Sequence, residues 1–123
     1  MLKRTSWKGK GGGAMNLEEF KTLLETSGIP VAYYAFPEGE SPGLPFICFL
    51  VNGSNNFSAD GIVYKKVNRI QVELYTKNKS IELEEKVETT LSSFFWNKDE
   101  TYLEEEKCFE VIYELEVLDG KQS

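Results

Sequence analysis

Two stretches of strict alternation, separated by a helical repeat, constrain this chain more than any other feature. In Val67–Thr76, Ile70, Val72 and Leu74 fall on one side and Arg69, Gln71 and Glu73 on the other. In Phe109–Val117 the apolar set is Phe109, Val111, Tyr113, Leu115 and Val117, opposite Glu110, Glu114 and Glu116. A period of two over that length predicts half-buried strands. Between them Leu83, Val87, Leu91 and Phe94 or Phe95 recur at intervals of three or four. That spacing predicts a helix capped by Ser80, with Glu84, Glu85, Lys86 and Glu88 in solvent and Trp96 and Asn97 at its end. The block reads as a scaffold, with nothing in it that looks like a reaction centre.

Upstream, Asn16 is placed as an N-cap, Glu19 stands at N3, and Met15 and Phe20 hold the two positions of a hydrophobic staple. Leu17, Phe20, Leu23 and Leu24 make one apolar stripe, which Gly28 and Pro30 bring to a stop. Residues 31–36 predict a strand. Residues 37–45 hold three of the four prolines and predict an irregular exposed loop. Residues 46–51 are apolar throughout, which suits a strand covered on both faces. Asn52-Gly53 and Asp60-Gly61 read as turns, with a short strand near 61–65. A last pair of strands is expected at 101–104 and 108–118, joined by a charged turn. The expected fold is α+β: a mainly antiparallel sheet of four to five strands with two helices on one face, in the order α-β-β-(β)-α-β-β.

Composition narrows the function more than it defines it. With 123 residues, 41% hydrophobic, the chain supplies one core and one domain, taken as 15–118, with a short tail at 119–123. No run approaches the roughly 20 apolar residues of a membrane-spanning helix. Cys48 and Cys108 lie in apolar strand-like runs and are expected as buried thiols instead of a disulfide. The absence of histidine removes the commonest general base and metal ligand, and with it every Ser/His or Cys/His dyad. No catalytic residue, cofactor or metal site is assigned, and the chain is read as non-enzymatic. Glu104-Glu105-Glu106 reads as a solvated turn. Glu73, Glu110, Glu114 and Glu116 share a strand face but lack the spacing of a cation site.

Met1–Ala14 stands apart. It carries four basic residues, no acidic ones and a Gly-Gly-Gly run, with no apolar period. It is expected to be a disordered leader or extension, with the natural start at Met15. Removing its four lysines and arginines from fourteen leaves ten against twenty acidic residues, a domain charge of about −10 instead of −6. So acidic a domain is not expected to bind nucleic acid backbones. If helices cover only one sheet face, Tyr75, Ile112 and part of 46–51 need another cover, either a folded-back loop or a partner subunit.

Taken together, Asn16–Leu24, the Pro/Gly-rich loop, Arg69-Ile-Gln-Val-Glu-Leu-Tyr-Thr-Lys77, the acidic helix and Phe109-Glu-Val-Ile-Tyr-Glu-Leu-Glu-Val117 resemble small tail-assembly proteins of long-tailed bacteriophages. The similarity is to the tail terminator, or tail-to-head joining, group of phages and prophages of Gram-positive bacteria, and it spans nearly all of 15–118. The resemblance implies a protomer that assembles into a ring, expected to be hexameric, on the tail tube. It implies tail-tube and head-connector proteins as partners, and a place in the bacterial cytoplasm during assembly and in the virion tail afterwards. Phe57, Tyr64, Trp96 and Tyr102 are the contact residues expected for such a ring. Glu73, Glu110, Glu114 and Glu116 are the carboxylates expected to line its lumen and repel DNA. The alternative is a small acidic inhibitor or immunity-type protein that binds a basic partner as a monomer.

Overall fold

A computed structural model describes residues 14–59 and 62–120, with the side chains of 57–59 and 62–65 excepted. Residues 1–13 of the expected leader, the expected Asp60-Gly61 turn and the last three residues lie outside the described residues. Helix α1 (Leu17–Glu25) begins as its sequence predicts: Asn16 Oδ1 accepts from the Glu19 N–H at 2.8 Å, and Glu19 Oε1 accepts from the Asn16 N–H at 2.9 Å. Such a reciprocal cap satisfies two of the donors that a helix start leaves open. Phe20 and Leu24 point inward and are fully buried, each worth about 1.5–3 kcal/mol. Gly28, at φ 83°, then turns the chain into Pro30 and strand β1 (Val31–Tyr33).

The remaining order is β2 (Phe46–Ser54), β3 (Phe57–Ala59), β4 (Ile62–Lys65), β5 (Val67–Thr76), α2 (Ile81–Thr90), β6 (Trp96–Leu103) and β7 (Cys108–Leu118). Five strands form one sheet, β1-β2-β5-β7-β6, and β3 and β4 form a separate hairpin. The α+β class holds, but the sheet is mixed and the element order has one hairpin more than expected. Strand β1 runs parallel to β2 because the 34–45 connection carries the chain back to the same end of the sheet. The other three pairings are antiparallel.

One core cluster joins the helices to a single sheet face. Phe20 and Leu24 of α1 and Val87 of α2, with Leu91 at its C-cap, meet Ile47 and Phe49 of β2, Ile70, Val72 and Leu74 of β5, and Val111, Tyr113, Leu115 and Val117 of β7. Phe20 sits between Phe49 and Phe94, at ring distances of 5.6 and 6.1 Å. Both alternating strands therefore turn the predicted side inward.

Four local expectations are corrected. Asn52-Gly53 is not a turn: it lies inside β2, where the register shifts against β5. Gly53 adopts φ 145°, a backbone that residues with a Cβ rarely take, which suits a glycine at that bulge. Trp96 does not end the second helix; α2 stops at Thr90 and Trp96 opens β6 opposite Leu115, so that strand starts five residues before the expected Thr101. Strand β1 ends at Tyr33, short of Phe36. Asp119 and Gly120, expected in a tail, are bound into the domain: the Met15 N–H donates to Leu118 O at 2.9 Å and the Gly120 N–H to Met15 O at 3.0 Å.

Candidate functional site

The sheet face turned away from the helices carries the polar halves of both alternating strands. Register sets Tyr75 opposite Glu110, Glu73 opposite Ile112, Gln71 opposite Glu114 and Arg69 opposite Glu116. The four carboxylates expected on one surface, Glu73, Glu110, Glu114 and Glu116, thus share it, with Glu73 and Glu110 half-buried and the other two exposed. A hydrogen-bonded chain crosses three strands: Asn52 Nδ2 donates to Gln71 Oε1 at 3.1 Å, and Gln71 Nε2 donates to Glu73 Oε2 at 2.7 Å. The Tyr75 hydroxyl lies 2.9 Å from carboxylate oxygens of both Glu73 and Glu110. Burial, then the hydrogen bonds and charges of these two carboxylates, drives the Tyr75 phenol far above its ordinary range. Asn55 Nδ2 holds Glu116 Oε2 at 2.8 Å.

Apolar groups on this face are partly covered from within the chain. Phe36, from the 34–45 connection, stacks edge-on to Phe46 at 5.4 Å, and Phe46 lies 5.1 Å from Tyr75. Of the two covers envisaged from the sequence, a folded-back loop therefore accounts for Phe46, which in turn packs on Tyr75. Cys48, two residues on, is buried as a free thiol, as is Cys108. Burial and the nearby Glu73 charge push the Cys48 thiol up to about 11. Such a thiol is a packing group, not a nucleophile.

On the other face, the polar side of α2 meets β6. Glu84, expected in solvent, is only 3% exposed. It accepts from Lys79 Nζ at 2.6 Å and Lys98 Nζ at 3.0 Å. Lys79 also binds Glu100 at 2.6 Å, and Lys98 binds Glu88 at 2.7 Å. The buried Tyr113 hydroxyl donates to Glu88 Oε2 at 2.8 Å. Burial alone would raise the Glu84 carboxyl, but the bonds and charges of its two lysines outweigh it and hold the group below its ordinary range. The helical period marked position 84 as outward; the two lysines that make it burial-competent come from the β5–α2 turn and from an edge strand. Every buried side-chain N and O among the described residues has a partner.

The contact residues proposed from sequence divide. Trp96 is half-buried, edge-on to Tyr113 at 5.3 Å, and Tyr102 is partly exposed against Phe109 at 4.9 Å. Both sit on the edge strand β6, and by register both belong to its helix-facing side. The side chains of Phe57 and Tyr64, on the β3–β4 hairpin, lie outside the described residues. The most exposed aromatics lie outside that set of four, although Phe95 adjoins Trp96. Phe95 is 98% exposed and Tyr34 is 60% exposed. The signal was present in Phe94-Phe95-Trp96 and Tyr33-Tyr34, since consecutive side chains in extended chain cannot all enter one core.

Among the described residues, no group of three or more acidic or cysteine side chains is arranged to hold a metal ion. No helix among them is long and apolar enough to cross a membrane. No protein-family model matches the chain, and no curated protein matches it in sequence.

Proposed function

We propose that this protein is a non-enzymatic assembly subunit of a long-tailed phage or prophage, which forms a ring on the end of the tail tube and joins it to the head. The observation that carries the reading is a sheet with both helices on one face and four carboxylates, Glu73, Glu110, Glu114 and Glu116, on the other. The resemblance of Asn16–Leu24, Arg69–Lys77 and Phe109–Val117 to tail terminator proteins supports it further. A surface of this charge turned toward a DNA path repels phosphate and lets the duplex pass without adhesion. Ring closure requires two different surfaces of each copy to match.

The test is to mix the purified protein with tail-tube subunits encoded beside it and to view the products by negative-stain electron microscopy. Capped tubes of limited length are expected. Tubes that grow unchanged, together with tight salt-sensitive binding of a monomer to a basic enzyme, would establish the acidic-inhibitor alternative instead.

A further inference from the structure

The most exposed aromatic side chains of the sheet layer lie at its two opposite edges. At one edge, β1 is halted after three residues by Tyr34, whose backbone is left-handed at φ 69°. A tyrosine seldom adopts that conformation without compensation. Here the Tyr34 N–H donates to Phe49 O and the Ala35 N–H to Tyr33 O, both at 2.8 Å, and this tight turn holds the Tyr34 ring outward. The Tyr33 ring stands edge-on beside it at 5.1 Å. Past Phe49, strand β2 has a sheet neighbour only on its β5 side, among the described residues. At the other edge, Phe95 projects fully into solvent immediately before β6, whose far side has no sheet neighbour among the described residues.

Register relates the two patches. Tyr33, Phe49, Val72, Tyr113 and Lys98 lie on one line across the sheet, and Val51, Ile70, Leu115 and Trp96 on another. Tyr34 and Phe95 are thus within about two residues, roughly 7 Å, of the same height along the strands. Four strand spacings, roughly 19 Å, separate the edges they occupy. Moving one copy sideways by a sheet width sets Tyr34 against Phe95 of the next.

We infer that these two edges are the matching halves of a head-to-tail contact between copies of this chain, with Tyr33-Tyr34 of one copy packing against Phe95 of its neighbour. The inference rests on the self-assembling reading above and names the surface it would use. A second copy is the occupant because the complement of each patch, aromatic and at matching height, is present on the chain itself. The contact is heterologous, so it leaves one free edge of each kind and continues until it closes. It also keeps the acidic faces side by side and out of the junction; their mutual repulsion makes assembly stronger as salt rises.

Sedimentation velocity on the full chain tests this with Phe95→Ser and Tyr34→Gly, the second of which also relieves the left-handed backbone; Tyr34→Asn replaces it if the glycine variant loses its native circular dichroism. Wild type is expected to form species larger than a dimer, increasingly at high salt, and each variant alone to sediment as a folded monomer. An equimolar mixture of the two variants retains one intact patch of each kind, so it is expected to give a dimer and nothing larger. A wild type that stays monomeric at all concentrations and salts overturns the inference, as does a mixture that fails to dimerise. Oligomers unaffected by either substitution reject this surface while leaving ring assembly standing. Tube capping by a protein that never self-associates in solution rejects the inference but not the proposed function.

Discussion

Glu84→Ala offers the sharpest check on how helix α2 is fastened to the sheet. Glu84 is buried and accepts charged hydrogen bonds from Lys79 at 2.6 Å and Lys98 at 3.0 Å. In a dry interior, breaking such a pair costs about 3–5 kcal/mol, because the surviving charge is stranded. Neither lysine is stranded here. Lys79 keeps Glu100 at 2.6 Å, Lys98 keeps Glu88 at 2.7 Å, and both side chains are about one-third exposed. Discounted for that exposure, the expected loss is about 2 kcal/mol, measured as a lower urea midpoint at unchanged slope. Glu84→Leu, which fills the space without a charge, is expected to cost less than about 1 kcal/mol. The pH dependence has a definite sign. The folded-state pKa of Glu84 lies below its ordinary value of 4.5. Its contribution is therefore complete at neutral pH and declines as pH falls from about 4.5 through the folded value. Wild type is expected to lose stability in that acid range more steeply than Glu84→Leu. An alanine variant within about 0.5 kcal/mol of wild type, or parallel acid curves for wild type and Glu84→Leu, would refute the reasoning.

Three further outcomes follow from named contacts. Phe20→Ala empties the space between Phe49 and Phe94 and is expected to cost about 3–5 kcal/mol in chemical denaturation; a smaller loss would mean the aromatic cluster collapses to fill the void. Tyr113→Phe removes the buried donor to Glu88 and is expected to cost about 1.5–3 kcal/mol, with a double-mutant cycle against Glu88→Ala recovering most of it as coupling energy. With its pKa at about 11, Cys48 is only about one part in a thousand thiolate at pH 8, so its reaction with a disulfide reagent should be slow. Glu73→Gln removes one cause of that rise and is expected to speed the labelling of Cys48, while a rate unchanged by the substitution would place all of the effect in burial.

Much of the fold was legible where side chains obey a period. Val67–Thr76 and Phe109–Val117 alternate because one face of each enters the core, and the structure turns those same residues inward. The capping box at Asn16 and Glu19 is local chemistry and could be read directly. The first half of strand β6, before the expected Thr101, was hidden for the opposite reason. An edge strand exposed over most of its length, WNKDETYL, has no buried face to impose alternation, and its charges suit an edge that must not pair indiscriminately. Strand β1 runs parallel to β2 through a long connection whose proline and glycine turn signals do not specify where the chain re-enters the sheet, so its direction depended on tertiary packing. The shared surface of the four glutamates followed from alternation in β5 and β7, whereas the burial of Glu84 depended on lysines distant in sequence. Exposed Tyr34 was missed because apolar residues in strand-like runs are ordinarily assigned to the interior, while for Phe95 the helical period left open whether it or Phe94 faces the core.

The stitch between Met15 and Gly120 has a consequence for how the polypeptide can be rewired. Because the backbone at Met15 and the backbone at 118–120 exchange hydrogen bonds at 2.9 and 3.0 Å, these two segments meet at one corner. A short covalent bridge from 120 back to 15, with the chain opened between Pro37 and Pro45, would produce a circular permutant that preserves every strand pairing. Tandem fusion of two copies, by contrast, would need a tether long enough to leave that corner and reach the same corner of the next molecule.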